Sequence, residues 1–285
     1  MFSKIYNFAD MIKLGHTLFA LPFVLSALCL AYKNGASITL PISIYIILAF
    51  CFARAFAMAF NRIVDRKFDA ENKRTANRHL VTGQISVATA KFFTLICAIL
   101  FCATTFFINN LCFYLSFVAL FILALYSYTK RFTSLAHFFL GFAIAISPIA
   151  VGIALFGSIE FYMIILALGL LFHIAAFDLL YSMQDKDFDE KNHLHSIPSK
   201  YGYKTAKKLS ALSFALASLA FIYLGINQDF PLYYYIITSV AITLYFCEHL
   251  VIKLTRLKNI SLVFFEMNVI VSALIFIAIA SATLI

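Results

Sequence analysis

Apolar residues run along this chain in long unbroken stretches, and polar or charged residues gather in short intervals between them. Breaking the runs at charges, Gly, Pro and Asn leaves nine segments close to the ~20 residues that a bilayer-spanning helix needs. They fall at about 16–33, 40–60, 88–108, 111–129, 134–156, 161–183, 206–226, 232–252 and 261–284. Strands of a membrane barrel would alternate polar with apolar residues, so these uniform stretches predict helices. Asn109-Asn110 parts the third segment from the fourth, and Gly157-Ser158-Ile159-Glu160 parts the fifth from the sixth, both as tight turns.

Composition sharpens that reading. The 285 residues are 63% hydrophobic and 12% charged, with a mean hydropathy of +0.94, well outside the ~25% charged usage of soluble domains. The expectation is an all-α polytopic membrane protein forming one domain over residues 1–285. Residues 87–129 carry one charge, Lys91, and residues 132–177 carry one, Glu160. The six cysteines, Cys29, Cys51, Cys97, Cys102, Cys112 and Cys247, lie in apolar runs without metal-ligand spacing and read as small buried hydrophobes. Lys4 and Lys13 ahead of an apolar run imitate a secretory leader, and Ser26-Ala27-Leu28-Cys29 a lipoprotein cleavage site. Leu28 is too large before the cysteine and Asp10 interrupts the basic leader, so the first segment is retained as a helix.

Alternating the nine segments across a bilayer puts 20 of the 22 Lys and Arg on one side, with Lys33 opposite and Arg54 inside the second segment. By the positive-inside rule that side is cytoplasmic, with the N-terminus inside and the C-terminus outside. The net charge of +9 then reflects topology and attraction to anionic headgroups of the lipid bilayer. No motif for nucleic acid appears.

Two polar intervals stand apart because they are dense in aspartate. Asn61-Arg-Ile-Val-Asp65-Arg-Lys-Phe-Asp69 follows the second segment, and Gln184-Asp185-Lys-Asp-Phe-Asp189 follows the sixth, about 120 residues later. On a continuing helix each Asp-x-x-x-Asp pair shares one face, with Cβ atoms roughly 5–6 Å apart, near enough to bind one hard cation. Arg54 and Asn61 extend the first stripe into the bilayer, and Asp178 and Tyr181 extend the second. Polar stripes at a membrane edge are costly unless they bind something. Solvated Asp neutralising Arg66, Lys67, Lys73, Lys186 and Lys191 is the bland alternative, and it leaves the membrane-embedded polar residues unexplained. Carboxylates select a cation such as Mg²⁺, where His or Cys would mark zinc.

Arg54 through Asp69, with Arg74-Thr-Ala-Asn-Arg78 after it, resembles the first signature of the UbiA family of intramembrane prenyltransferases. Asp178-Leu-Leu-Tyr181-Ser-Met-Gln184-Asp185-Lys-Asp187-Phe-Asp189 resembles the second. Tyr126-Ser-Tyr-Thr-Lys130-Arg131 is similar to the basic loop after the fourth helix of the 4-hydroxybenzoate branch. The opening Lys13-Leu-Gly-His16-Thr-Leu-Phe-Ala-Leu-Pro22-Phe is similar to a bacterial subgroup of that branch linked to menaquinone made through futalosine. One departure is Arg62, where the family commonly has Asp, which leaves open how many metal ligands that helix supplies.

The resemblance implies nine transmembrane helices around a central cavity that faces the cytoplasm from a bacterial inner membrane. It implies Mg²⁺ as cofactor, held by Asp65, Asp69, Asp185 and Asp189, with Asn61, Lys130 and Arg131 on the diphosphate. Arg54, Asp178 and Tyr181 would serve an aromatic acid, with Asp178 or Tyr181 as contact or proton acceptor. The implied reaction transfers a polyprenyl group from polyprenyl diphosphate to a 4-hydroxybenzoate-type acceptor in respiratory quinone synthesis, or to a dihydroxynaphthoate. An ion-coupled transporter is the reading from another class, but its site would lie near the midplane on helices broken by Gly or Pro, and only nine Gly and five Pro are present. His16 and His173 read as satisfied structural histidines, and Glu248 and Glu266 lie in late segments without an assigned partner.

Overall fold

The computed structural model describes residues 2–13, 19–255 and 260–284. His16 lies outside them, as do Arg256 and Lys258, two of the 20 bases assigned to one side of the bilayer. The described residues form twelve α-helices: α1 (Phe2–Met11), α2 (Leu21–Lys33), α3 (Leu40–Val64), α4 (Arg66–Glu71), α5 (Val87–Ile108), α6 (Asn110–Tyr126), α7 (Ala136–Phe156), α8 (Phe161–Tyr181), α9 (Lys186–Lys191), α10 (Ile197–Asn227), α11 (Leu232–Thr255) and α12 (Ile260–Leu284). No strand occurs among them.

Among the described residues, seven helices are long and apolar enough to cross a membrane, and α2 and α6 are shorter apolar helices of 13 and 17 residues. These two stand where the first and fourth segments were expected. The fourth ends early because Ser127 closes the helix and Thr129–Arg131 winds into a 3₁₀ turn. The Asn109 turn is tighter than a loop: Asn109 ends α5, and its side chain accepts the Cys112 N–H at 2.7 Å to start α6. Gly157, with φ of 71°, ends α7 in the left-handed conformation that glycine takes without steric cost. All six cysteines are free thiols.

The chain divides into two compact units. The first comprises Met1–Thr17 with Leu40–Thr129. Its core places Phe8, Met11 and Ile12 against Ala55, Phe56 and Ala59 of α3 and Leu80, Ile85, Ala90 and Cys97. Polar bonds pin α1 to the segment after α4: Asp10 Oδ2 lies 3.0 Å from His79 Nε2, and Asn7 Nδ2 donates to the Gln84 carbonyl at 3.2 Å.

The second unit comprises Leu18–Thr39 and Lys130–Ile285. Its centre is α8, buried along most of its length through Met163, Leu166, Leu170, Ile174, Leu179 and Leu180. A helix that is apolar all round belongs inside a bundle. On the α7 side Gly141 allows backbone approach, since a Cβ there would collide with the Leu171 carbonyl oxygen, the use that membrane helices make of small residues. α10 starts with a capping box between Ser196 and Ser199. It then breaks at Gly202, whose φ of 79° and ψ of 169° lie in a region almost reserved for glycine.

Candidate active site

The two aspartate segments have the same local construction. α3 ends at Val64, Asp65 has φ −90° and ψ 3°, and α4 begins at the next residue. α8 ends at Tyr181, Ser182–Asp185 forms a 3₁₀ turn, Asp185 has φ −99° and ψ 5°, and α9 begins at the next residue. Both first aspartates therefore occupy the bridge region between helical and extended backbone, where many active-site residues are found. The helix does not run straight through either segment as the four-residue spacing assumed; it bends at the first Asp. The spacing survives the bend, because the Asp69 N–H still donates to the Asp65 carbonyl at 2.8 Å.

In the first unit, Asn61 Nδ2 donates to Asp65 Oδ2 at 2.8 Å, so the polar stripe of α3 meets the first aspartate. Asp69 is buried and paired with Arg78 Nη1, and Thr75 Oγ1 donates to the Asp69 carbonyl at 3.0 Å. Arg66, a neighbour that could have neutralised an aspartate, instead donates through Nε to the Leu80 carbonyl. Arg54 sits half-buried on α3, seven residues before Asn61.

In the second unit Asp185 and Asp189 are both buried, at 7% and 2% exposure. Lys130 Nζ stands 3.5 Å from Asp189 Oδ2, an ion-pair distance without a hydrogen bond. The Lys130 carbonyl accepts the His195 N–H at 2.6 Å, which ties the 3₁₀ turn to the segment following α9. Arg131 ends that turn, exposed. Lys186 turns away to Glu190 at 2.6 Å and lies over the Tyr203 ring. Tyr181 packs its ring near Phe177 at 5.8 Å. Asp178 meets a residue that sequence reasoning passed over: His137 Nδ1 lies 2.7 Å from Asp178 Oδ2. A lone histidine at the head of an apolar segment gave no spacing signal.

His173 departs from its reading as a satisfied histidine. It is fully buried among Phe23, Phe214 and Tyr245, and neither ring nitrogen has a hydrogen-bond partner among the described residues. Glu248 is fully buried and Glu266 is exposed.

Among the described residues, no three His, Cys, Asp or Glu side chains gather closely enough to hold a metal ion. Mg²⁺ usually takes one or two carboxylates and completes its shell with water and substrate phosphate, and each aspartate segment offers one Asp-x-x-x-Asp pair of carboxylates. Asp189 Oδ2, buried and without a hydrogen bond, retains the acceptor capacity that such an ion uses.

The model of the UbiA prenyltransferase family matches residues 20–270. The chain belongs to the UbiA prenyltransferase family, and it is accordingly an enzyme, a prenyltransferase of multi-pass membrane architecture. A 4-hydroxybenzoate octaprenyltransferase from Haemophilus ducreyi is 30% identical over 205 residues, 72% of this chain and 73% of that one. Among solved structures, the apo form of a UbiA homolog from Aeropyrum pernix K1 matches with a TM-score of 0.84 at 27% identity, covering 94% of this chain and 98% of that one. A UbiA homolog from Archaeoglobus fulgidus bound to GPP and Mg²⁺ matches with a TM-score of 0.73 at 20% identity, over 98% of this chain and 100% of that one. That last likeness carries the fold alone.

Proposed function

We propose that this protein transfers a polyprenyl group from polyprenyl diphosphate to an aromatic acid of the 4-hydroxybenzoate type, with Mg²⁺, in respiratory quinone synthesis. The observation that carries the proposal is the shared construction of the two aspartate segments, each with a bridge-region Asp followed one turn later by a buried Asp that faces a basic side chain. The name of the Haemophilus relative supports the acceptor class. The ligands of the Archaeoglobus neighbour support the donor class and the metal.

In this mechanism Asp65 and Asp69 would hold one Mg²⁺ and Asp185 and Asp189 a second. Bound there, the metal supplies positive charge to offset what develops on the departing diphosphate. Lys130 and Arg131 would hold phosphate oxygens, and Asn61 would orient a phosphate. These fixed charges favour breaking of the bond between diphosphate oxygen and prenyl carbon one. Arg54 holds the acceptor's carboxylate within the membrane, and Asp178 with Tyr181 contacts the ring and takes up its proton. An apolar interior solvates the prenyl tail at ~0.8 kcal/mol per CH₂ and excludes water that would trap the cation.

The identity of the substrates is tested by incubating purified enzyme and Mg²⁺ with several prenyl diphosphates and either 4-hydroxybenzoate or a dihydroxynaphthoate, with products read by mass spectrometry. A prenylated benzoate is the expected product. Product from the naphthoate alone would move the acceptor to that class.

The donor and acceptor roles separate by kinetics. Arg131→Ala is expected to raise the KM for the prenyl donor about tenfold or more, the scale of a lost charged hydrogen bond. Arg54→Ala is expected to raise the KM of the aromatic acid by a similar factor. If folded Arg54→Ala weakens only the donor, Arg54 belongs to the phosphate end.

The proposed topology has nine crossings, with α2 and α6 completing the set, and both aspartate segments in the cytoplasm. Thr75 and Ser196 are buried, so exposed neighbours serve as reporters. Cysteines placed at Asn77 and Lys204 are expected to react with an impermeant maleimide from the cytoplasmic side only, and one at Ser158 from the outer side only, above the background of the native cysteines. Labelling of Asn77→Cys and Lys204→Cys from opposite sides would exclude a common cytoplasmic site.

A further inference from the structure

His137 is the second residue of α7 and is fully buried, while the Asp178 side chain it meets on α8 is 19% exposed. The histidine therefore cannot touch a substrate, and anything it contributes passes through the aspartate. Its two ring nitrogens face different partners. Nδ1 lies 2.7 Å from Asp178 Oδ2, and Nε2 faces the backbone N–H of Ile197 at 3.4 Å. A backbone N–H only donates. Nε2 must then be the acceptor, which leaves the proton of a neutral imidazole on Nδ1, donated to the carboxylate.

The surroundings anchor this pair at both ends. Ile197 is the first residue of α10 and follows Ser196, whose side chain caps that helix. Two residues earlier the His195 N–H is bound to the Lys130 carbonyl, and Lys130 in turn faces Asp189. His137 thus connects the membrane carboxylate of α8 to the segment that returns from the second aspartate turn, across 41 residues on one side and 60 on the other.

We propose that His137 is a positioning residue, which holds the Asp178 carboxylate in fixed orientation so that it receives the proton displaced from the aromatic acceptor. The inference rests on the prenyl-transfer reading given above. In the step concerned, the acceptor's ring carbon bonds to prenyl carbon one, and the bond from that carbon to the diphosphate oxygen breaks with its electron pair leaving on the diphosphate. The ring carbon then loses its proton to Asp178, the C–H electron pair restores the aromatic ring, and no oxidant or reductant enters. The proton does not continue to His137, since Nδ1 already carries one and the lone pair of Nε2 is turned to Ile197. The arrangement follows the rule that an outer partner fixes the tautomer and orientation of the group that acts.

The test combines kinetics with a readout that needs no turnover. In full-length purified enzyme, His137→Ala is expected to lower kcat about tenfold or more, within the range of a general base's contribution, and to leave the donor KM within about twofold. His137→Asn, whose amide N–H can stand near the position of Nδ1, is expected to recover most of the loss, and His137→Gln, whose amide reaches toward Nε2, is not. In an Asp178→Asn background, His137→Ala is expected to add no further loss, because the residue acts only through Asp178. Equal fractional losses in both backgrounds would make His137 a packing residue and overturn the proposal.

Nitrogen-15 NMR of histidine-labelled wild-type enzyme is expected to show one neutral imidazole protonated at Nδ1, absent from His137→Asn and shifted in Asp178→Asn. An Nε2-protonated ring or an imidazolium at His137 would overturn the proposal even in an active enzyme. If His137→Ala fails to fold, the Asn and Gln variants and this spectrum decide the matter. A wild-type enzyme inert toward every prenyl diphosphate would instead overturn the functional reading, and the base role of Asp178 with it, while the spectrum still decides the contact.

Discussion

Asp65→Asn and Asp185→Asn are each expected to cut turnover by at least ~10²-fold, the scale of removing one group that stabilises developing charge. The first aspartate of each segment is the informative position. Asp69 is buried against Arg78 and Asp189 faces Lys130, so neutralising either strands a base in a partly dry environment and risks unfolding. Asp65 and Asp185 sit in bridge-region backbone at the start of a short helix, which Asn occupies readily. The amide oxygen of an Asn at 65 can still accept from Asn61 Nδ2, so the local hydrogen bonding has a substitute. Circular dichroism and thermal unfolding should therefore match the parent protein while product formation collapses. Wild-type turnover in either folded variant would remove that aspartate from the catalytic machinery.

Chelation should produce the larger effect. EDTA is expected to abolish prenyl transfer and added Mg²⁺ to restore it, because without the ion the charge developing on the departing diphosphate goes unmatched. An ion completed by substrate phosphate and water is held less tightly than one in an all-protein cage and is open to exchange. The same argument predicts that the fold survives chelation, since helices packed through Ala59, Leu170 and Phe221 do not depend on the ion. Undiminished turnover in metal-free buffer would refute the proposed ionisation route. A loss of helical structure on adding EDTA would assign the metal a structural role instead.

How much of this was legible beforehand depends on the range of the interaction. The tight turns at Asn109 and Gly157 were readable because a cap and a left-handed residue are local choices of side chain and backbone. The end of α6 was not, since nothing local marks Ser127 as the residue where the helix gives way to a 3₁₀ turn. Thr75 and Ser196 lie in polar intervals and are nonetheless buried, Thr75 bound to the Asp69 carbonyl and Ser196 capping α10.

The sequence by itself determined the membrane class, the helical character, the order of the long apolar helices and the place of the two aspartate segments. Each follows from solvent preference along one run or from side chains four apart, which are neighbours whatever the rest of the chain does. The family followed as well, because its signatures are contiguous. Only the tertiary structure decided that the helices bend at Asp65 and Asp185, that Arg78 and Lys130 rather than the adjacent bases face Asp69 and Asp189, and that His137 meets Asp178. α7 and α8 are apolar on every side, so no stripe marks which faces meet. A contact between residues 41 apart is set by where close packing seats the helices, as at Gly141 against Leu171.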